Sequence, residues 1–326
     1  MNKLKLIMLD LFFIISSIIG VGFATGKEIA HYFTSGKSIF IAVAVFCIIF
    51  ISLTLYMLHI KTRYKVNNLT GLNKFAFGRY YEICNIMLVI FLIITNSAML
   101  AGCDNIVRTY LGFYVPVGSL FLSCVTFFVV LGGIDRIKNI SKVVTPIIIA
   151  MIIFIGCKNL KISSCDGNYT LDILYPIMFC AHNFILLITV VLNTKSNPKI
   201  LSSLSGILIS VMILISALAI NGIGADMPML VLSKNVGNAF FSIYLIGVIF
   251  ALFTTLQIGT FQCLQIVNKN KNQKFFTLSI ILLTCQIIAY LGFSFIIQYL
   301  YATMGILGVI YLLILIVNLI IKNKLK

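Results

Sequence analysis

The sequence predicts an all-α integral membrane protein of ten transmembrane helices, built as a five-plus-five inverted repeat whose first and sixth helices are broken at mid-membrane. Three observations predict it. Hydrophobic residues make up 61% of the 326, only 10% are charged and the mean hydropathy is +1.12, against about 45 to 50% apolar residues in soluble domains. Ten apolar windows, most near the 20 residues that cross a bilayer, follow one another along the chain. With the N-terminus inside, the outer connections hold only Lys27, Lys37, Arg108, Lys158, Lys161 and Lys234, which leaves eighteen of the 24 basic residues inside. A missed or invented span would scramble that bias.

The spans are read at about residues 4–33, 38–60, 81–109, 116–130, 141–157, 171–192, 200–220, 239–267, 275–297 and 304–321. They form one transmembrane domain over 1–326, with repeat one at about 4–157 and repeat two at about 171–321. A unit of five spans enters the membrane in opposite directions in its two copies, and interrupted segments at matching positions of the halves point to a transport site. Span 1 carries Gly20, Gly22 and Gly26, each weakening a helix by about 1 kcal/mol relative to alanine. Span 6 carries Pro176 and then Cys180-Ala181-His182-Asn183. In lipid a broken helix survives only against protein, water or a bound solute. Both termini are expected in the cytoplasm, the membrane being a cell membrane of the bacterial inner-membrane kind.

The net charge of +16 follows the inner loops, so it is a topological signal rather than a footprint for nucleic acid. Lys3, Lys5, the first apolar run and Gly22-Phe23-Ala24 imitate a cleaved signal peptide, but the run is long and Asp10 interrupts it, so an uncleaved span is expected. Nine cysteines lack metal-ligand spacing, and only Cys157 and Cys165 are placed to meet in a loop. The connection over 221–238, with Asp226 and Pro228, fits an outer lid. No H-E-x-x-H or G-x-S-x-G motif occurs, so neither catalytic residues nor an organic cofactor are expected. Gly26-Lys27 is no phosphate loop, because Val21 stands where a glycine is required and Glu28 where Ser or Thr belongs.

A helix restarting near Phe23 or Ala24 presents N–H groups to a carboxylate, while the half ending near Ile19 leaves carbonyls for a cation. Gly22 and Gly26 also form a G-x-x-x-G pair, whose ordinary role is close helix packing. In span 8, Ala251, Thr255, Gly259 and Gln262 share one helix face with Thr254 beside them. Those threonines either face a cation or bond carbonyls of their own helix. Asp104 stands one turn before Arg108, which reads as an intrahelical pair near the outer interface, with an outer gate as the alternative. Asp10 is placed for an inner gate against a cytoplasmic lysine. His182 reads as a structural hydrogen-bonding group or a proton carrier, and Asn183 as a contact for solute.

The string Ile19-Gly20-Val21-Gly22-Phe23-Ala24-Thr25-Gly26-Lys27-Glu28-Ile29, with Ala98-Met99-Leu100-Ala101-Gly102 in span 3, resembles the YkvI-like membrane proteins and their G-x-G-F-A-[ST]-G-x-E pattern. These look like members of the amino acid-polyamine-organocation superfamily, with the LeuT-type fold. The resemblance implies a solute site at Gly20, Val21, Gly22, Phe23, Ala24, Thr25 and Gly26 with Phe179, His182 and Asn183, and gates at Asp10, Glu28 and Asp104. It implies a sodium site made of the carbonyls of Ser16, Ile19 and Ala251 and the hydroxyls of Thr254 and Thr255. A second sodium site of some relatives needs an amide where this chain has Phe23. Proton-coupled relatives carry a lysine in mid-span 5, whereas here Lys142 is at the start of that span and 144–155 is uncharged. The expected activity is therefore sodium-coupled transport of an amino acid or similar zwitterion, with solute and lipid bilayer as partners and no nucleic acid. A proton-coupled or uncoupled exchanger, or a non-transporting sensor or scaffold that binds a small solute, are the alternatives.

Overall fold

A computed structural model describes residues 3–66, 68–113, 116–161, 167–268 and 273–324, among which there is no strand. The first apolar run divides into α1 (Lys3–Ile18), α2 (Val21–Thr25) and α3 (Lys27–Phe33). Then come α4 (Ile39–Tyr64), α5 (Leu69–Phe77), a 3-10 turn (Gly78–Tyr80) and α6 (Tyr81–Leu111). Further on lie α7 (Val117–Leu131), α8 (Ile134–Lys158), α9 (Tyr169–Leu192) and α10 (Pro198–Ile220). The chain closes with α11 (Pro228–Val236), α12 (Asn238–Val267), α13 (Lys274–Ala289), α14 (Phe293–Phe295), a π turn (Ile296–Tyr301) and α15 (Ala302–Lys324). Among the described residues seven helices are long and apolar enough to cross a membrane, or eight if α13 and the bent segment after it form one span.

Three expectations are corrected. Helix α9 is continuous through Pro176 and Cys180–Asn183, so span 6 is not broken. Pro176 is the eighth residue of the helix, where its missing N–H forfeits a single bond, and no glycine lies between 169 and 192 to end the helix. Span 9 does not run to 297: α13 stops at Ala289, and Phe293–Leu300 turns away by 95° after Gly292, whose φ of 89° only glycine adopts freely. Span 5 starts early, because α8 begins at Ile134 and takes in Lys138 ahead of the expected start at Ser141. The proposed pairing of Cys157 with Cys165 lies outside the described residues.

The chain forms two compact units. The first comprises Met1–Tyr56, Lys138–Cys180 and Lys195–Thr255. Its core includes Phe33, Phe46 and Phe179, whose ring centroids lie 5.2 to 5.9 Å apart, and Phe50 stacks on Phe46. The carboxylate of Asp172 accepts from the N–H groups of Lys37 and Ser38 at 3.2 and 2.9 Å, satisfying donors at the start of α4.

The second unit comprises Met57–Ile137, Ala181–Thr194 and Leu256–Lys326. One buried polar chain crosses helices there: the Tyr311 hydroxyl donates to Asn73, whose amide donates to Asn85, both at 2.7 Å. Gly259 lets α12 approach Asn96 so closely that a Cβ there would strike the Asn96 amide.

Candidate functional site

The site in the first unit begins with a backbone turn. Helix α1 ends at Ile18, and the N–H of Gly20 bonds to the carbonyl of Ile18 at 2.8 Å instead of reaching Ser16 four residues back. Regular bonding resumes with Ala24 N–H to the Gly20 carbonyl at 2.9 Å. The turn releases the carbonyls of Ser16 and Ile19 from helix bonding, and both lie 3.1 Å from the Thr255 hydroxyl of α12. One hydroxyl proton serves one of them at a time, so three oxygens converge on a small volume. The Ser16 hydroxyl donates to the Phe13 carbonyl at 2.8 Å and lies 3.0 Å from that of Ser141 on α8.

All five residues of the expected sodium set thus stand on two segments, with Ala251 and Thr255 one turn apart on α12, and Ser16, Ile19 and Thr255 make the contacts across them. Thr254 behaves differently. Its hydroxyl donates to the Ala251 carbonyl at 3.0 Å, a bond within its own helix. The donor set is made only of neutral carbonyl and hydroxyl oxygens, which suits a hard monovalent cation. Among the described residues no three His, Cys, Asp or Glu side chains gather to hold a metal ion.

Beyond the turn, Thr25 bonds the Val21 carbonyl at 2.7 Å, and Tyr244 of α12 donates to the Ala24 carbonyl at 2.6 Å. Gly26 has a φ of 84° and joins α2 to α3. Here α11 seats on it, with Met229 Cγ 2.8 Å from where a Cβ would stand. Lys27 reaches Asp226 ahead of α11 at 2.5 Å, so the segment expected to form a lid is tied to α3 by an ion pair. Glu28 does not reach outward. It is 5% exposed and lies against Gly22, where a Cβ would collide with its Cγ, Cδ and Oε1.

Asp10 is fully buried and fastened at both oxygens. One pairs with Lys138 of α8; the other accepts from the N–H groups of Lys195 and Ser196, each at 2.8 Å, and from the Ser196 hydroxyl at 2.6 Å. Nothing in the sequence pointed to Lys138, Ser141 or Tyr244, because their partners lie more than 120 positions away. Asp104 corrects the expected pair with Arg108: its carboxylate accepts from the N–H of Ser119, in the first turn of α7, at 2.8 Å. It and Arg108 line a cavity of about 370 Å³ with Asn105, Phe113 and Tyr290.

Phe179 is in the first unit, where Tyr32 lies 5.6 Å from it, centroid to centroid. His182 and Asn183 are in the second, buried, with the His182 ring 5.0 Å from that of Phe91. The structure therefore gathers Gly20–Gly26, Phe179, Ser16, Ile19, Ala251, Thr254, Thr255, Asp10 and Glu28 within one unit, and Asp104, His182 and Asn183 within the other.

No protein-family profile matches the chain. The uncharacterized membrane protein YkvI of Bacillus subtilis is 27% identical over 140 residues, which cover 42% of this chain and 40% of that protein. The resemblance expected from the sequence is thus met by a known sequence, over less than half of either chain. Among solved structures, Mhp1, a nucleobase-cation-symport-1 family transporter in a closed conformation with bromovinylhydantoin bound, matches with a TM-score of 0.61 at 12% identity, covering 92% of this chain and 73% of the other. An outward-open, substrate-bound Na+-coupled sialic acid symporter matches with 0.64 at 12% identity, over 93% and 75%. The inward-facing conformation of Mhp1 gives 0.62 over 92% and 72%. These likenesses concern the fold, and it is the LeuT-type fold that the resemblance implied.

Proposed function

We propose that the chain is a sodium-coupled secondary transporter that moves an amino acid or similar small zwitterion by alternating access. The observation that carries the reading is the Thr255 hydroxyl set 3.1 Å from two carbonyls that the Gly20 turn has released, in a fold shared with cation-coupled symporters. A sodium ion would be held by the carbonyls of Ser16, Ile19 and Ala251 and the hydroxyl of Thr255, with Thr254 joining once it gives up its own-helix bond. Such an ion joins α1 to α12 and favours whichever arrangement holds them together, which is the differential affinity that coupling requires. The solute meets the backbone of Gly20–Gly22 and the side chain of Phe179.

The ten-span, five-plus-five reading belongs to the same proposal, with α1, α2 and α3 as one interrupted span. The Asp10 network serves as the inner lock, and α11 with Lys27–Asp226 as the outer lid. Proteoliposomes carrying the full chain test the reading with labelled amino acids under an inward sodium gradient. Concentrative uptake that vanishes when potassium replaces sodium, and in Thr255→Val, is expected; uptake indifferent to sodium refutes the coupling.

A further inference from the structure

The glycine turn leaves one charged group unexplained. Glu28 is 5% exposed, yet among the described residues its carboxylate takes part in no hydrogen bond or ion pair, although Lys27, its neighbour, is paired with Asp226. Withdrawing an ionised carboxylate from water without a partner costs several kcal/mol, and an acid inside a membrane segment is by default a functional group. Two glycines put it there. The left-handed conformation of Gly26 sets the direction of α3, and the bare Cα of Gly22 leaves the slot that Glu28 fills.

The site described above accounts for a coupling ion through neutral oxygens, so Glu28 is left as the acidic side chain lying against the turn. One helical turn further on, Tyr32 is 5% exposed and stands at the edge of an aromatic group with Tyr175 and Phe179, at centroid distances of 6.0 and 5.6 Å. A carboxylate one helical turn from an aromatic group combines the two features that attract an ammonium group.

Resting on the transporter reading, we infer that Glu28 is the counter-charge for the solute's ammonium group, so that the protein selects solutes with a free, charged amine. The carboxylate pole is left to the backbone of Gly20–Gly22, and aliphatic acids or N-acylated analogues are rejected because they leave Glu28 buried and unpaired. Gly22 then has a second duty besides loosening the helix: any side chain there expels Glu28 from its slot.

The test measures thermal stabilisation of the purified full chain in sodium by each standard amino acid and its N-acetyl derivative, for the wild type, Glu28→Gln and Glu28→Asp. At least one free amino acid should stabilise the wild type while its N-acetyl derivative does not. In Glu28→Gln its affinity should fall by about 30-fold or more, the loss expected when one partner of a buried charge pair is truncated, with Glu28→Asp in between. Sodium alone should still stabilise Glu28→Gln, which shows that the variant folds. Should that variant fail to fold, the comparison of free and acetylated ligands on the wild type decides. Equal binding of acetylated ligands, or unchanged affinity in Glu28→Gln, overturns the inference and leaves the transporter reading standing. Loss of pH-dependent uptake in Glu28→Gln at unchanged affinity makes Glu28 a proton carrier and overturns it too. If sodium stabilises the wild type and no amino acid does, the zwitterion reading itself falls and takes the inference with it.

Discussion

Thr254 and Thr255 are adjacent, equally buried and chemically identical, yet one hydroxyl bonds its own helix while the other reaches two carbonyls of α1. Replacing Thr255 by valine keeps the shape and strands a carbonyl, for which about 1 to 3 kcal/mol of stability is expected to be lost. Sodium-dependent thermal stabilisation should disappear with it. Thr254→Val should cost less than about 1 kcal/mol, because a hydroxyl bonding back into its own helix contributes little, and should only weaken the sodium response. Equal effects of the two substitutions would mean that the turn is merely packed against α12. Asp10 and Lys138 give a second prediction. Removing one partner of a buried pair costs about 3 to 5 kcal/mol, so Asp10→Asn should destabilise strongly, while Asp10→Asn with Lys138→Met should recover part of the loss. A thermal denaturation cycle over the four proteins reads the coupling, and strict additivity of the two changes would deny it.

At the scale of elements, what could be read from the sequence was what is settled locally. Three glycines within seven positions dictate their own turn, and α1 does end two residues before Val21. Pro176 was misread because a proline inside a helix forfeits one backbone bond without having to end the helix, and α9 continues on both sides of it. Asp104 was misread for a related reason. An exposed pair with Arg108 would yield little, whereas the N–H of Ser119 is an orphan donor at a helix start that must be satisfied. Which lysine answers Asp10 could not be read because the pair spans 128 residues, and Ser16 and Ile19 were set beside Thr255 by the family resemblance alone, since no periodicity encodes a separation of more than 230 residues. These helix assignments predict a pattern of amide hydrogen exchange: slow across 177–190 of α9 and faster at Ile19 and Gly20. Pro176→Ala should leave that pattern and the stability within about 1 kcal/mol of the wild type, since it restores a donor to an intact helix. Rapid exchange confined to 180–183 would instead restore the broken span.

For the molecule as a whole, the span count rests on two segments that length alone does not settle. Seven long helices and the bent pair make eight. Ten requires α7, whose 15 residues rise about 22 Å at 1.5 Å each against a hydrocarbon core of about 30 Å, and the interrupted run of α1, α2 and α3. A short helix can still cross where the bilayer thins or flanking side chains snorkel, and an interrupted one where protein satisfies its backbone. Charge decides between the counts, because dropping either segment reverses the side of every later loop. Without α7 the lysines over 269–274 and 322–326 would lie on the opposite side from Lys61, Arg63, Lys65 and Lys74, and without the first run Lys3 and Lys5 would lie on the opposite side from all of these. Both termini are therefore expected on the cytoplasmic side, with α11 on the other. Reporter tags at Met1 and Lys326 and a labelled cysteine at position 234, in a background without other reactive cysteines, should divide two against one when intact cells are treated with an impermeant reagent. If the two termini are found on opposite sides, the count is odd, the two five-span halves cannot both exist, and the sodium-coupled reading loses the architecture on which it was built.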